Sequence, residues 1–225
     1  MRPSNTKMAQ VYIFYVILVN FFIKLSVSAN KTVLTEDEFM KSVTTNGYPS
    51  PQPTIYQYLM AYTKDFSRKE MAMFIAQLIH ESGGFEHTEQ LGCHNEASHC
   101  QEIYVDKVGL SNKSYHGRGF IQLTWGANYK VASEGLGWGD LLLKYPEVVS
   151  TDVQIAMLVS VWYWNARVRP LLSSKENLFG LSTKGINPEE CTRKNAMAQR
   201  RYNIYLKVVD SLKISDKAKE NGCYN

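Results

Sequence analysis

The chain has 225 residues, of which 44% are hydrophobic and 20% are charged, and its formal net charge is +4. Three of the 25 basic residues and none of the 21 acidic residues lie in the first 29 positions, so 22 basic and 21 acidic side chains remain after them. This near-neutral balance gives no support for a nucleic acid or an anionic membrane as partner, because binding to either requires a concentrated basic face.

The N-terminal segment is typical of a secretory leader. Basic Arg2 and Lys7 precede the apolar run at residues 11–23, and small residues follow up to Ala29. The run is short against the roughly 20 residues that span a bilayer, which favours a cleaved leader over a membrane anchor. We therefore expect a signal peptide at 1–29 and a single domain at 30–225, secreted to the extracellular space without a membrane contact.

Patterns of capping residues and apolar stripes predict a mainly α-helical domain. Capping boxes at residues 35–38 and 67–70 predict two helix starts, and Thr54 is expected to cap a helix between them. The helix after residue 67 ends at a double glycine, residues 83–84. Two later helices are predicted by the apolar positions Ile155, Leu158, Val159 and Trp162, and by Met197, Tyr205, Val208 and Leu212.

Regular structure is weaker elsewhere. Residues 85–114 lack periodicity and predict a long loop, and a strand pattern is confined to residues 120–124 and similar short pieces. An even number of cysteines in an exported chain predicts two disulfides. Pairing Cys93 with Cys100 would close a small loop and pairing Cys191 with Cys223 would tether the tail, although three connectivities are possible. A zinc site is disfavoured because close CxxC pairs are absent.

Glu81 is the first candidate for chemistry. It follows His80 at the end of the apolar helix, where partial burial would raise the pKa of its carboxyl and suit it to general acid catalysis. Hydrolysis of a glycosidic bond requires a second carboxyl. From the residues alone the choice stays open among four acids that follow: Glu86, Glu89, Glu96 and Glu102.

Two long stretches carry a family resemblance. Residues 74–85 resemble the helix ending in His-Glu of family 19 chitinases, and residues 115–125 resemble the family's Tyr-x-Gly-Arg-Gly-x-Ile-Gln-Leu signature. Shorter similarities follow in the same order at residues 128–129, 145–149, 162–164, 186–187 and 190–191. The resemblance implies a lysozyme-like fold of helices around a long substrate cleft with minimal β structure. It further implies a monomeric, inverting endo-chitinase that acts on chitin or chito-oligosaccharide without a metal or other cofactor.

The resemblance also assigns roles to single residues. Glu81 matches the general acid and Glu89 the general base, whereas Glu102 would be the base if the chain followed the long-looped members of the family. Thr124 matches a residue that holds the attacking water, and Arg201 is suited to orient a carboxylate through paired hydrogen bonds. The other matched substrate-binding residues are Gln122, Asn128, Asn187 and Tyr115. Pro188 stands where the family usually has glycine, which restricts Asn187.

Other interpretations compete with this one. A related cleft could cut peptidoglycan, as endolysins do, or the chain could bind chito-oligosaccharides without activity. Gln122 and Asn128 could simply satisfy backbone groups, and Arg201 could be an exposed member of the pair at residues 200–201. We interpret Trp162 and Trp164 as core residues, and His80 as a structural hydrogen-bonding residue rather than a catalyst.

Overall fold

The computed structural model describes residues 33–93, 98–172, 177–192 and 195–224. The expected leader at 1–29 and Glu96 lie outside this part of the chain. The helices, in chain order, are α1 Glu36–Thr44, α2 Pro53–Tyr62, α3 Arg68–Ser82, α4 Ser98–Ile103, α5 Gly126–Gly135, α6 Leu141–Lys144, α7 Val148–Thr151, α8 Val153–Tyr163, α9 Arg169–Leu172, α10 Gly180–Ile186 and α11 Ala196–Ser211.

Two short turns complete the helical structure. A π-helical turn, Trp164–Val168, joins α8 to α9, and a 3-10 turn, Pro188–Glu190, follows α10. In the described ranges, β pairing is limited to isolated bridges, two of which link Arg118 to Glu89 and to Leu123. The predicted mainly helical fold is therefore confirmed. Within the same ranges, no helix combines the length and apolar character needed to cross a membrane.

Helix α3 is the centre of the core. Its residues from 71 to 79 are all buried, and α11 packs along it while α10 contacts it. A helix that is apolar on all sides must be surrounded by other elements, which here fix its position and direction. The last turn of α3 therefore presents its polar side chains from a rigid support.

The capping predictions have different outcomes. The box at α1 is confirmed, because the Thr35 hydroxyl accepts from the Glu38 N–H and the Glu38 carboxylate accepts from the Thr35 N–H. The prediction that Thr54 caps α2 is wrong. That helix begins at Pro53, with Gln52 as its N-cap, because proline has the backbone angle of a first helical residue and lacks the N–H that would need a cap.

Only one of the two hydrogen bonds of the predicted capping box forms at α3. The Ser67 hydroxyl accepts from the Glu70 N–H, but the Glu70 carboxylate accepts instead from Trp164 Nε1 and from the Arg169 guanidinium. Glu70 is buried, so its charge needs a cationic partner more than the helix start needs a second cap. The fully buried Trp164 confirms its place in the core, whereas Trp162 is only half-buried.

The apolar stripes are also partly corrected. In α8 the residues Ile155 and Val159 are buried as expected, while Leu158 is half-buried. In α11 the residues Tyr205 and Val208 are buried, but Met197 is exposed because it lies in the first turn, beyond the part of the helix that packs on α3.

The segment predicted as one long loop, residues 85–114, contains the short helix α4. A disulfide between Cys93 and Cys100 reaches across to this helix, and a second disulfide joins Cys191 to Cys223 in the tail. Both expected pairings are confirmed. A helix of six residues is too short to show two turns of apolar periodicity, which is why the sequence pattern did not predict it.

Asp106 attaches the end of this segment to α5. Its carboxylate accepts from the N–H groups of Val108, Gly109 and Ala127, the last of which lies in the first turn of α5. Burial opposes ionisation, but these donors outweigh it, so the pKa of Asp106 lies below its ordinary value. The charge also suits a helix N-terminus. The segment is thus held against the residues that carry the Gly-Arg-Gly signature.

Candidate active site

Glu81 lies in the last turn of α3. The helix ends because Gly83 adopts a left-handed conformation, with φ of 59°, and its N–H bonds to the Ile79 carbonyl. A Cβ atom on Gly84, where φ is 72°, would lie 2.4 Å from the side chain of Tyr48. The double glycine therefore lets the chain turn away directly after Glu81, and the carboxyl is left at the edge of the core.

The Glu81 carboxyl is largely buried and has one cationic neighbour. Its side chain is 17% exposed, and Oε1 lies 2.6 Å from Nη1 of Arg201. Burial raises the pKa of Glu81 above its ordinary value, and the arginine opposes that shift. Burial prevails because Arg201 also neutralises Glu190, which itself raises the pKa of Glu81. A carboxyl whose pKa is raised keeps its proton to a higher pH than an ordinary glutamate does, and it can then donate that proton.

Arg201 is the centre of a buried polar network. Its Nε and Nη2 atoms both donate to the Glu190 carboxylate at 2.8 Å, and Nη1 donates to Gln77 Oε1 at 2.9 Å. Gln77 in turn donates to the hydroxyls of Ser182 and Thr183. The alternative of an exposed Arg201 is wrong, because the residue is 1% exposed. The network joins α3, α10, the 3-10 turn and α11 around the Glu81 carboxyl.

Asn187 faces the same network. Its side-chain amide donates to Glu190 Oε1 at 3.0 Å. The backbone of Asn187 is extended, with φ of −137° and ψ of 85°, which leaves room for the ring of Pro188. Proline at the family's glycine position is therefore compatible with an Asn187 side chain that points towards the acidic network.

His80 is neutral in this environment. Burial lowers its pKa to about 3, with further contributions from the charges of Arg201 and Arg200. Its Nδ1 atom has no hydrogen-bond partner in the described part of the chain. The interpretation of His80 as a structural hydrogen-bonding residue thus finds no support at Nδ1, and a neutral ring beside Glu81 adds no charge to the site.

Glu89 lies on a short segment that pairs with the Gly-Arg-Gly signature. Residues 88 and 90 form backbone hydrogen bonds with residues 119 and 117, respectively. The pairing brings Glu89 Oε1 to 2.8 Å from His116 Nε2 and to 3.4 Å from Arg118 Nε. The Glu89 carboxylate therefore stands beside one buried arginine and one buried histidine.

The other predicted bases are placed differently. Glu102 is exposed on α4, and Glu86 is exposed just after the double glycine. Among the described candidates, Glu89 is the one whose carboxylate contacts the signature segment. This placement distinguishes Glu89 by its surroundings, which include a buried histidine and a buried arginine.

Three residues predicted to bind substrate lie in one short segment, residues 122–128. The Gln122 amide donates to the Gly119 carbonyl, the Thr124 hydroxyl donates to the Gln122 carbonyl, and the Asn128 amide donates to the Thr124 carbonyl. All three side chains are half-buried. These bonds fix the orientation of each side chain.

Tyr115 is placed in the core rather than in a cleft. It is 1% exposed, its hydroxyl donates to the Leu143 carbonyl, and the same oxygen accepts from the Leu110 N–H. Its ring packs edge-on against Tyr129. Direct contact with a substrate, as the resemblance implied, is not available in this arrangement, and Tyr115 instead supports the signature segment from below.

Two aromatic residues were not singled out by the sequence, Trp125, which is exposed, and Tyr104, which is half-buried. Trp125 is 43% exposed directly after Thr124, and the ring of Tyr104 packs edge-on against it at 5.4 Å. The Tyr104 hydroxyl accepts from the Gln90 side chain at 2.7 Å, next to Glu89. Because Trp125 belongs to no apolar helical stripe, the sequence could have identified it as a surface residue. His116 and Glu190 were likewise overlooked as partners of the two candidate acids.

One cluster has the composition of a metal site. Side-chain atoms of Cys93, His99 and Cys100 lie within 4.8 Å of one another. Both sulfur atoms belong to the Cys93–Cys100 disulfide, so they cannot supply the thiolates that bind zinc. The cluster therefore carries no metal-binding function.

The helical fold, with one carboxyl buried at a helix end and a second on a loop segment, resembles the lysozyme-like class of glycoside hydrolases. The chain belongs to glycoside hydrolase family 19, because the family model described as chitinase class I matches residues 54–198. It is 37% identical over 159 residues to the Arabidopsis thaliana endochitinase At2g43620, covering 70% of this chain and 53% of that protein. The chain thus spans about half the length of the curated relatives that it matches.

Solved structures agree with the fold. Chitinase C from Streptomyces griseus HUT6037 is similar with a TM-score of 0.68 and 26% identity, over 86% of this chain and 99% of that chain. A class IV chitinase from Zea mays, at 21% identity, shares the fold with a TM-score of 0.57, over 93% of this chain and 95% of that chain.

Proposed function

We propose that the chain is a secreted, monomeric endo-chitinase that hydrolyses β-1,4 bonds between N-acetylglucosamine units with inversion. The observation that carries this proposal is the buried carboxyl of Glu81, whose pKa is raised by burial and whose Oε1 lies 2.6 Å from Arg201. Family membership and the endochitinase relatives support chitin or chito-oligosaccharide as the substrate.

Glu81 is proposed as the general acid. Its proton passes to the glycosidic oxygen as the bond to the anomeric carbon breaks, so the leaving sugar departs as a neutral alcohol. The carboxylate that remains would be costly in a buried site without a counter-charge. Arg201, already beside Oε1, supplies that charge at the moment when it is needed.

Glu89 is proposed as the general base. It would take a proton from a water molecule while the oxygen of that water forms the new bond at the opposite face of the sugar. Inversion of this kind requires the two carboxyls to stand roughly 6.5 to 9.5 Å apart, with room for the water between them. The Thr124 hydroxyl is proposed to help hold this water. The two carboxyls and a bound water suffice for the reaction, so neither a metal nor a cofactor is required.

Substrate recognition is proposed to use the polar side chains around the two acids and one aromatic face. The amides of Gln122, Asn128 and Asn187 can exchange hydrogen bonds with sugar hydroxyls and acetamide groups. The exposed ring of Trp125 offers an apolar surface of the kind on which a sugar ring stacks. The substrate is uncharged, which agrees with the near-neutral balance of charges beyond the leader.

The experiment that tests this function compares two polymers. Protein lacking residues 1–29 is incubated with N-acetylglucosamine hexamer and, separately, with bacterial peptidoglycan, with Glu81→Gln as the control for contaminating activity. We expect shorter oligomers from the hexamer and no products from the control. Cleavage of peptidoglycan alone would contradict the chitin assignment, and tight hexamer binding without turnover would identify an inactive binding protein.

A further inference from the structure

The side chain of His116 joins two polar groups in the interior. The residue is fully buried, with 0% exposure, and its Nε2 lies 2.8 Å from Glu89 Oε1. Its other ring nitrogen, Nδ1, lies 2.9 Å from the hydroxyl of Ser114, which is also fully buried. The three residues form a continuous chain of contacts, Ser114 to His116 to Glu89, that ends at the proposed general base.

The chemistry of the groups fixes how the chain is hydrogen-bonded. An ionised carboxylate can only accept, so Nε2 of His116 must carry the hydrogen that is donated to Glu89. In the neutral ring Nδ1 is then the acceptor, and the Ser114 hydroxyl donates to it. The carboxylate thereby selects the tautomer, and the Ser114 hydroxyl satisfies the remaining ring nitrogen and fixes the direction of the ring.

Two further groups near Glu89, Arg118 and Tyr129, are compatible with this arrangement. Arg118 Nε lies 3.4 Å from the same oxygen, Oε1, and its charge favours the ionised carboxylate. Tyr129, on α5, accepts from Arg118 and donates to the His116 carbonyl. Burial raises the pKa of Tyr129 further above its ordinary value, so it contributes no charge of its own.

We propose that His116, held by Ser114 through its other ring nitrogen, is a positioning residue that keeps the carboxylate of Glu89 ionised and in one orientation for water activation. This inference rests on the function proposed above. Glu89 is on a loop segment rather than a helix, so its side chain depends on hydrogen bonds for a fixed direction. Small errors in the direction of a catalytic group are costly, since a misplacement of about 1 Å can slow a reaction by about a hundredfold.

The test compares two substitutions of one residue. His116→Phe keeps a ring but removes the donor, whereas in His116→Gln the side-chain amide can still donate to Glu89. With N-acetylglucosamine hexamer we expect His116→Phe to lower kcat by about tenfold or more while KM changes less than about twofold. We also expect the acidic limb of its pH profile to move up by about one pH unit, because a carboxylate that loses a donor is protonated more readily. His116→Gln should retain most of the wild-type kcat and most of the wild-type position of the acidic limb.

Coupling to Glu89 separates positioning from general stability. In a Glu89→Gln background, His116→Phe should have little further effect on kcat, since the group that it positions is no longer a base. Independent, multiplying effects in the two backgrounds would overturn the proposal. A folded His116→Phe with the kcat and acidic limb of the wild type would overturn it as well.

Ser114→Ala covers the case in which His116→Phe does not fold. It removes one small hydroxyl and should move the acidic limb in the same direction by a smaller amount, and an unchanged limb would contradict the proposal. The wild type provides the link to the proposed function. A wild type that binds hexamer without cleaving it contradicts both inferences, whereas an active wild type whose His116 variants behave normally contradicts this one alone.

Discussion

The two candidate carboxyls lie in opposite kinds of surroundings. Glu81 ends a helix of 15 residues and sits in a buried network, where burial raises its pKa. Glu89 lies on a short paired segment, where a histidine and an arginine approach its carboxylate. Burial favours the protonated form that an acid needs, and donors with positive charge favour the ionised form that a base needs. The proposed roles of the two carboxyls rest on this difference in surroundings.

Their supports also differ in range along the chain. The proposed acid, Glu81 on α3, depends on Arg201. Arg201 also donates to Gln77 on α3, from which it is 124 positions away in the sequence. The base depends on His116, 27 residues after Glu89. The acid site is thus a product of tertiary packing between α3 and α11, whereas the base site is a product of one local pairing. Damage to packing should therefore affect Glu81 more than Glu89.

The largest expected effect follows removal of the charge beneath Glu81. Arg201→Met leaves Glu190 buried without its cationic partner, so we expect the free energy of unfolding to fall by about 3–5 kcal/mol. Arg200→Met is the matched control, because Arg200 is exposed and donates to the hydroxyl of Tyr48 rather than to a buried carboxylate. Its loss should be below about 1 kcal/mol. Urea unfolding of both variants measures the difference. Equal losses would show that the network around Arg201 contributes no more to the free energy of unfolding than an exposed arginine does.

The next effect distinguishes the two candidate bases. Glu89→Gln should lower kcat on N-acetylglucosamine hexamer by about a hundredfold or more, which is the usual contribution of a general base. Glu102→Gln should remain within about twofold of the wild type, since Glu102 is exposed on α4. The reverse ranking would assign the base to Glu102 and place this chain with the long-looped members of the family.

A smaller effect concerns stability and pH. Because the pKa of Glu81 is raised in the folded protein, the stability that its neutral form contributes is complete below the ordinary value of 4.5 and is lost as the pH rises through the folded value. Glu81→Gln cannot ionise and avoids this loss. Relative to the wild type, the variant should therefore gain unfolding free energy as the pH rises from 4 to 8. A constant difference across thermal or urea unfolding at both pH values would contradict the raised pKa.

The smallest effect tests the exposed aromatic face. Trp125→Ala should weaken hexamer binding by about fivefold, which corresponds to loss of roughly 1 kcal/mol of contact with an aromatic ring. Val131→Ala removes another exposed apolar side chain and should leave binding unchanged. Calorimetric titration in the Glu81→Gln background avoids turnover during the measurement, and equal affinities for the two variants would exclude Trp125 from the binding surface.

The sequence predicted the acid site where local patterns decide the structure. The apolar stripe before Glu81 and the double glycine after it are local sequence patterns. Together they predicted a carboxyl at the edge of the core. The disulfide pairings were among the possibilities that the cysteines allowed. Glu190 and Gln77 could not be recognised as partners of Arg201, because hydrogen bonds between distant helices follow no periodicity in the sequence.

The corrected predictions show where tertiary contacts override local patterns. Glu70 has the sequence position of a capping residue but pairs with Arg169 instead. Tyr115 has the sequence position of a cleft residue, yet its hydroxyl satisfies the Leu143 carbonyl in the interior. In each case the polar group has two candidate partners, and only the packed structure decides which partner is within reach.

The measurement that tests the central assignment most directly is proton NMR of N-acetylglucosamine hexamer during the first minutes of cleavage. An inverting enzyme with Glu81 as the acid should release fresh α-anomer, and Glu81→Gln should release none although it is folded and binds the hexamer. Fresh β-anomer from the wild type, or undiminished cleavage by Glu81→Gln, would contradict the account.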